Sequence, residues 1–208
     1  MILKTIVAGP LETNCYILGD EKTGEAICID PSGNVDEIMG EVRKEKLSLK
    51  YIINTHGHFD HVGGNGLLKK ATGAKLAIHK KDAPLLKNAA SQAAAFGMDV
   101  VSSPPPDMFL KDGDKIIAGA LTVAVIHTPG HTEGGISLFL NKERALFTGD
   151  TIFAGSIGRT DLPGGSYKGL IASIKDKILP LGDDLQLFPG HGPETTIGRE
   201  KRFNQFLA

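Results

Sequence analysis

Apolar residues along this chain gather into short strand-like runs broken by turns and by stretches with helical spacing. Leu3 to Val7, Asn14 to Leu18 and Glu25 to Ile29 are predicted strands, punctuated by Gly19-Asp20 and by Asp30-Pro31-Ser32-Gly33. Val35, Ile38, Met39 and Val42 then recur at helical spacing from Asn34 to Glu45, with Asn34 or Ser32 available as the cap. Tyr51 to Asn54 predicts a strand, Asn65 to Thr72 a helix stopped by Gly73, Lys75 to Ile78 a strand and Lys81 to Asn88 a helix. The stretch from Ser91 to Pro106, alanine-rich at first and then carrying Gly97, the serines Ser102 and Ser103 and three prolines, is expected to be a loop or mobile flap. A β pattern resumes at Asp114 to Ile117, Leu121 to Ile126, Ile136 to Leu140 and Ala145 to Phe147. Ser166 to Leu179 reads as a helix, Leu185 to Phe188 as a strand and Thr195 to Phe206 as a closing helix. No low-complexity tract, linker or repeat interrupts this order, so residues 1–208 are expected to form one domain around a sizeable core.

Four of these strands run straight into turns whose first residues are potential metal ligands. Tyr51 to Thr55 leads to His56, Leu121 to Gly130 leads to His131, Ala145 to Gly149 leads to Asp150, and Leu185 to Gly190 leads to His191. A rigid sheet fixes the groups at its strand ends, so four ends pointing one way would make a single site. The densest stretch is Thr55 to His61, T-H-G-H-F-D-H, which holds His56, His58, Asp60 and His61. A lone histidine is ordinarily a core or surface residue. Imidazoles and a carboxylate at this spacing converge where a metal offsets their mutual crowding. Gly57, Gly63 and Gly64 supply the backbone freedom such a loop needs, and many of the 26 glycines cluster beside histidines and aspartates.

Charge and composition narrow the partners. A net charge of −1 gives no electrostatic case for nucleic acid or for an anionic membrane surface. No apolar run approaches a membrane span, and the N-terminus lacks the apolar core and cleavage site of a signal peptide. A cytoplasmic protein acting on a small molecule is therefore expected. Cys15 and Cys28 lie in apolar surroundings, as buried thiols do.

His56, His58, Asp60, His61, His131, Asp150 and His191 are too many donors for one tetrahedral zinc and suit two metals sharing a carboxylate. The H-x-H-x-D-H loop, followed by His131, Asp150 and His191, resembles the metallo-β-lactamase superfamily. That resemblance implies an α+β chain folded as an αββα four-layer sandwich, two sheets face to face with helices outside. It also implies two divalent ions, zinc above iron or manganese, with His56, His58 and His131 on the first and Asp60, His61 and His191 on the second. Asp150 would bridge them, and Asp60 and Asp150 would carry the catalysis around a metal-bridging hydroxide. Thr55 and His127 are placed as helpers that orient the ligating imidazoles, and His79 as structural.

The substrate is read from Gly149 to Gly165, which contains Gly158-Arg159-Thr160-Asp161-Leu162-Pro163-Gly164-Gly165. This segment resembles glyoxalase II-like proteins, the hydroxyacylglutathione hydrolases, and most of all a short bacterial branch. Full-length glyoxalase II continues past its last metal histidine into a glutathione-binding helical domain, which is expected to be absent here because the chain ends soon after His191. It also carries a lysine and a tyrosine where this chain has Arg159 and Asp161. The implied reaction is thioester hydrolysis, of glutathione or another thiol conjugate, with Arg159 holding a substrate carboxylate through its forked donors. A thiol leaves as thiolate with little help, its pKa being about 8.5. The alternative is a persulfide dioxygenase of the same superfamily, with one iron on His56, His131 and Asp150. Lactones and β-lactams are further substrates of such a centre that no residue singled out here selects.

Overall fold

The computed structural model describes residues 1–207. Its first half contains β1 (Ile2–Ala8), β2 (Thr13–Gly19), β3 (Glu25–Ile29), α1 (Val35–Lys44), β4 (Ser48–Ile53), α2 (Phe59–Val62) and α3 (Asn65–Thr72). β5 (Lys75–His79), α4 (Ala83–Lys87), α5 (Ala89–Ala95) and β6 (Met108–Leu110) complete it. The second half runs through β7 (Lys115–Ala118), β8 (Leu121–His127), β9 (Ile136–Leu140), β10 (Ala145–Gly149), β11 (Ile152–Phe153) and β12 (Ser156–Ile157). It ends with α6 (Tyr167–Ser173), β13 (Gln186–Pro189), β14 (Thr195–Thr196) and α7 (Ile197–Phe203).

The strands form two six-stranded sheets, ordered β1-β2-β3-β4-β5-β6 and β14-β13-β10-β9-β8-β7, with β11 and β12 as a separate small hairpin. In the first sheet β1, β2 and β3 are antiparallel and β3 through β6 are parallel. The second sheet is antiparallel except where β10 lies parallel to β13. Side-chain parity sorts the core into three layers, because successive residues of a strand face opposite sides. Cys15, Ile17, Ala26, Cys28 and Ile52 face outward and pack under α1 to α5. Tyr16, Leu18, Ile27, Ile29 and Ile53 face inward and meet Val123, Val125, Leu138 and Phe147 of the second sheet. Leu146 and Leu187 face the other way, beneath Leu170, Ile174, Ile178 and Ile197. Helices thus cover both outer faces, and the expected αββα sandwich is the fold. No helix among the described residues is long and apolar enough to cross a membrane.

The elements depart from expectation in three places. The stretch from Ser91 to Pro106 begins inside a helix: α5 buries Ala89 and Ala93 against the core, and only the part beyond Gly97 is irregular. The helix expected from Ser166 to Leu179 changes pitch. Its α-helical part is capped by the Ser166 side chain, which accepts from Gly169 N, and then widens into a π-helical turn over Ile174–Ile178. The closing helix starts later than Thr195, whose strand β14 pairs with β13 before Thr196 caps α7.

Between the sheets Tyr16, Phe147 and Phe188 form an aromatic cluster, with ring centroids 4.9 Å apart for Tyr16–Phe147 and for Phe147–Phe188. The Tyr16 hydroxyl donates to Pro189 O at 2.6 Å, so this cluster also anchors the end of β13. Phe147 is fully buried. Phe147→Ala is expected to lower unfolding free energy by about 3–5 kcal/mol, measured by urea denaturation of the folded variant, through lost burial and the cavity left behind.

Candidate metal centre

Strand ends carry the centre. After β4, the loop Asn54–His58 turns into α2, which presents Asp60 and His61. After β8 the Thr128-Pro129-Gly130 turn leads to His131, β10 ends one residue before Asp150, and His191 follows β13 by two residues. Backbone bonds across the rim hold these ends in register: Ile136 N donates to Thr55 O at 2.9 Å, Gly190 N to Gly149 O at 2.8 Å, and Asn14 N to Gly190 O at 2.7 Å. The approach at Gly190 leaves no room for a side chain, since a Cβ there would lie 2.2 Å from Asp150 Oδ1 and 2.7 Å from His61 Cε1.

All seven predicted ligands come together, in two sets. His56, His58 and His131 each offer a nitrogen within 4.8 Å of the others, and Asp60, His61 and His191 offer donors equally close. In the first set His58 Nδ1 lies 2.9 Å from His131 Nε2, which is 3.3 Å from His56 Nε2. In the second, His191 Nε2 lies 3.3 Å from His61 Nε2 and 3.2 Å from Asp60 Oδ2. Asp150 sits between them, 3.4 Å from His61 Nε2 and 3.6 Å from both His131 Nε2 and His191 Nε2.

The outward nitrogens explain why the inward ones are bare. His131 Nδ1 donates to Arg159 O at 2.7 Å and His191 Nδ1 to Leu11 O at 2.9 Å. His61 Nδ1 donates to Asp30 Oδ2 at 3.0 Å, and His56 Nδ1 to Thr55 Oγ1 at 3.1 Å, whose hydroxyl in turn donates to Asp30 Oδ2 at 2.6 Å. With the proton on Nδ1, each Nε2 turns a lone pair toward the centre. Lone pairs at these separations repel unless a cation lies among them, and the buried Asp150 Oδ1 has no hydrogen-bond partner among the described residues. The residues fit a pair of divalent ions.

Electrostatics agree. Burial, reinforced by the neighbouring imidazoles, holds the His56 pKa well below the usual histidine value and pushes His58 down to about 4, leaving both neutral and able to ligate. Burial also opposes charge on His61, yet Asp60, Asp150 and Asp30 outweigh it and raise its pKa well above normal. Against the same burial cost, His61 and His191 hold Asp60 below the ordinary carboxylate range, and His61 and His131 do so for Asp150. The carboxylates thus favour positive charge at His61, and a cation bound against its Nε2 would take the place of that proton.

A family model described as the metallo-beta-lactamase superfamily matches residues 8–191. The chain belongs to that superfamily. It is 38% identical over 209 residues to the hydroxyacylglutathione hydrolase GloC of Haemophilus influenzae, covering 100% of this chain and 98% of that one. Among solved structures it is similar to the BLEG-1 B3 metallo-beta-lactamase, with a TM-score of 0.93, 37% identity and full coverage of both chains. It is also similar to TTHA1623 in a di-iron-bound form, with a TM-score of 0.91, 35% identity, and coverage of 98% of this chain and 100% of that one.

Two carboxylates that support this superfamily centre lay hidden in turn-like sequence. Asp30, buried and in the left-handed region at φ 49°, accepts from Thr55 N at 2.8 Å as well as from Thr55 Oγ1 and His61. Asp82 accepts from Gly57 N at 3.0 Å, Thr132 Oγ1 at 2.7 Å and Gly134 N at 2.6 Å, tying the His56 loop to the His131 loop. The D-P-S-G turn directly after an apolar strand was the available signal for Asp30. Asp82 had none, standing in a lysine-flanked helix start.

Thr55 touches His56, whereas His127 lies apart from the cluster. Its ring stacks on His79 with centroids 4.3 Å apart and its Nε2 bonds Glu133 O at 3.0 Å. Arg159 lies beside the centre, where its carbonyl orients His131, while its half-exposed guanidinium is bound in two contacts, at 2.7 and 2.8 Å, to Asp161. A cleft of about 720 Å³ opens over Asp60, Asp150 and His191, walled by Leu11, Phe59, Phe96, Phe153 and Leu162 among others.

Asp30→Ala is expected to weaken metal retention about 10–100-fold, by freeing the His61 ring and Thr55. His127→Ala should leave retention unchanged. Chelator competition followed by elemental mass spectrometry on both variants checks this, and equal losses would count against the role of Asp30.

Proposed function

We propose that this chain is a binuclear metal-dependent thioester hydrolase of the hydroxyacylglutathione type. His56, His58 and His131 would hold one ion and Asp60, His61 and His191 the other, with Asp150 standing between the two sets. The observation that carries the reading is Asp150, a buried carboxylate with an unpartnered oxygen standing between two complete sets of donors. Ions bound there lower the pKa of water to about 7 and polarise a carbonyl. Zinc is the ion we favour for these nitrogen and oxygen donors, which also suit iron.

The chain's own residues do the rest. Asp60, held ionised against its burial by His61 and His191, is placed to receive the proton of the attacking water. Thr13 Oγ1 donates to the same Asp60 oxygen, Oδ2, at 3.3 Å. Asp150 keeps the two donor sets in register, and the bonds of Asp30 and Arg159 O keep the imidazole planes fixed. Among the described residues no lysine, tyrosine or cysteine lines the cleft to protonate a leaving amine. A thiol, with a pKa of about 8.5, needs no such donor. Likeness to GloC supports the same class. Likeness to BLEG-1 favours a second reading, lactam hydrolysis at the same centre, which the missing proton donor weighs against.

Three outcomes test the proposal. The purified protein should carry about two metals per chain. Asp150→Ala should lose both ions, whereas Asp60→Ala or His61→Ala should lose one, with S-lactoylglutathione hydrolysis falling by orders of magnitude. A single retained iron together with oxygen uptake on glutathione persulfide would replace the hydrolase with a dioxygenase; faster turnover of a cephalosporin than of any thioester would favour the lactamase. Separately, Arg159→Ala should raise KM more than it lowers kcat, because its guanidinium can exchange Asp161 for a substrate carboxylate. Steady-state kinetics with S-lactoylglutathione reads this, and an unchanged KM removes the Arg159 side chain from the substrate site.

A further inference from the structure

Both walls of the cleft are largely apolar, Phe153, Ile157 and Leu162 lining one of them, and they differ in that this one also carries a cation. Ser156 and Arg159 stand on the wall built by β12 and the segment after it. The opposite wall, from α2, α4 and α5, presents Phe59, Leu85, Ala95 and Phe96, with Gln92 as its polar member. Gln92 Nε2 donates to Leu85 O at 3.0 Å and ties α5 to α4. Phe96 leans on the buried Phe59, with centroids 5.6 Å apart and planes tilted by 31°. Yet Phe96, the residue just after α5, lines the cleft and is itself 50% exposed, while that helix buries Ala89 and Ala93. An aromatic ring held in place and left half bare beside a reaction centre is a surface shaped for an apolar group.

We infer that the wall formed by Phe59, Leu85, Ala95 and Phe96 is an acyl subsite, and that it selects thioesters whose acyl group is bulky and apolar, aryl above all. This rests on the thioesterase reading and adds to it the side of the cleft each half of the substrate occupies. The polar, anionic thiol carrier takes the wall that holds the cationic side chain, Arg159. The acyl group takes the wall that offers no charge. A methyl group, as in a lactoyl thioester, leaves most of the Phe96 face in water; a phenyl ring in the same position covers it.

The test keeps the thiol constant and changes the acyl group. kcat/KM is measured for S-mandeloylglutathione and S-lactoylglutathione, which differ by phenyl for methyl, on the metal-loaded protein. The wild type should prefer the mandeloyl substrate by about tenfold or more, within the range a hydrophobic pocket can deliver. In Phe96→Ser the preference should fall to near one, chiefly through KM for the mandeloyl substrate. Ala95→Glu, at an exposed position on the same wall, should reduce it likewise, so that the result does not hang on one variant's folding. Equal kcat/KM for the two substrates in the wild type, or a preference that survives both substitutions, overturns the acyl subsite and leaves the thioesterase reading standing. Failure to cleave either thioester overturns both.

Discussion

The structure is governed by the need to hold several unshared electron pairs within 3–4 Å of one another. His56, His58, His61, His131 and His191 would spread apart in water, where nothing opposes their repulsion and the chain entropy favours separation. Here each ring is fixed from behind by a bond to a carbonyl, a hydroxyl or a carboxylate, or set into a loop that such bonds fasten. Those fixings in turn need the strand ends in register, which the two sheets and the aromatic cluster at Tyr16 provide. Folding and metal binding are therefore coupled: the sandwich assembles the repulsive cluster, and a cation in it returns stability to the sandwich.

Asp30 shows how tightly the layers are joined. It ends β3 in the first sheet, yet its carboxylate fixes the first residue of the ligand loop after β4 and a ring carried by α2. Its left-handed backbone is a local cost, accepted where the surrounding bonds determine the conformation. Asp82 does the same for the other side, joining the His56 loop to the turn that carries His131. Burial raises its pKa despite those three bonds. Neither carboxylate faces the cleft, and both set where the donors point.

Much of this was legible in the sequence because it follows from local pattern. The apolar run from Asn14 to Leu18 marked a strand and placed Cys15 in apolar surroundings, and the H-x-H-x-D-H spacing brought four donors into one loop. What escaped depends on contacts distant in sequence. Asp30 reads as a turn residue until Thr55 and His61 are seen against it, and the three-residue strand β6 is too short to show a period. The prolines from Pro104 onward made the whole of Ser91 to Pro106 look irregular, although the alanines before Gly97 favour a helix. His127 misled in the other direction: it ends a strand near the centre in sequence, but lies at the strand's partly exposed end and turns its ring to His79.

The division of labour between sheets and loops explains why superfamily membership fixes the chemistry more firmly than the substrate. Donors stand on strand ends or within bonds of them, so moving one disturbs both sheets. The walls of the cleft come from α2, α4, α5 and the segment after β10, which touch the centre at its edge. A change at Phe96 or Leu162 alters what can enter without disturbing a single bond that holds an imidazole. One metal centre can thus serve substrates as different as a thioester and a lactam, and the identity of this chain's substrate is written in its least constrained segments.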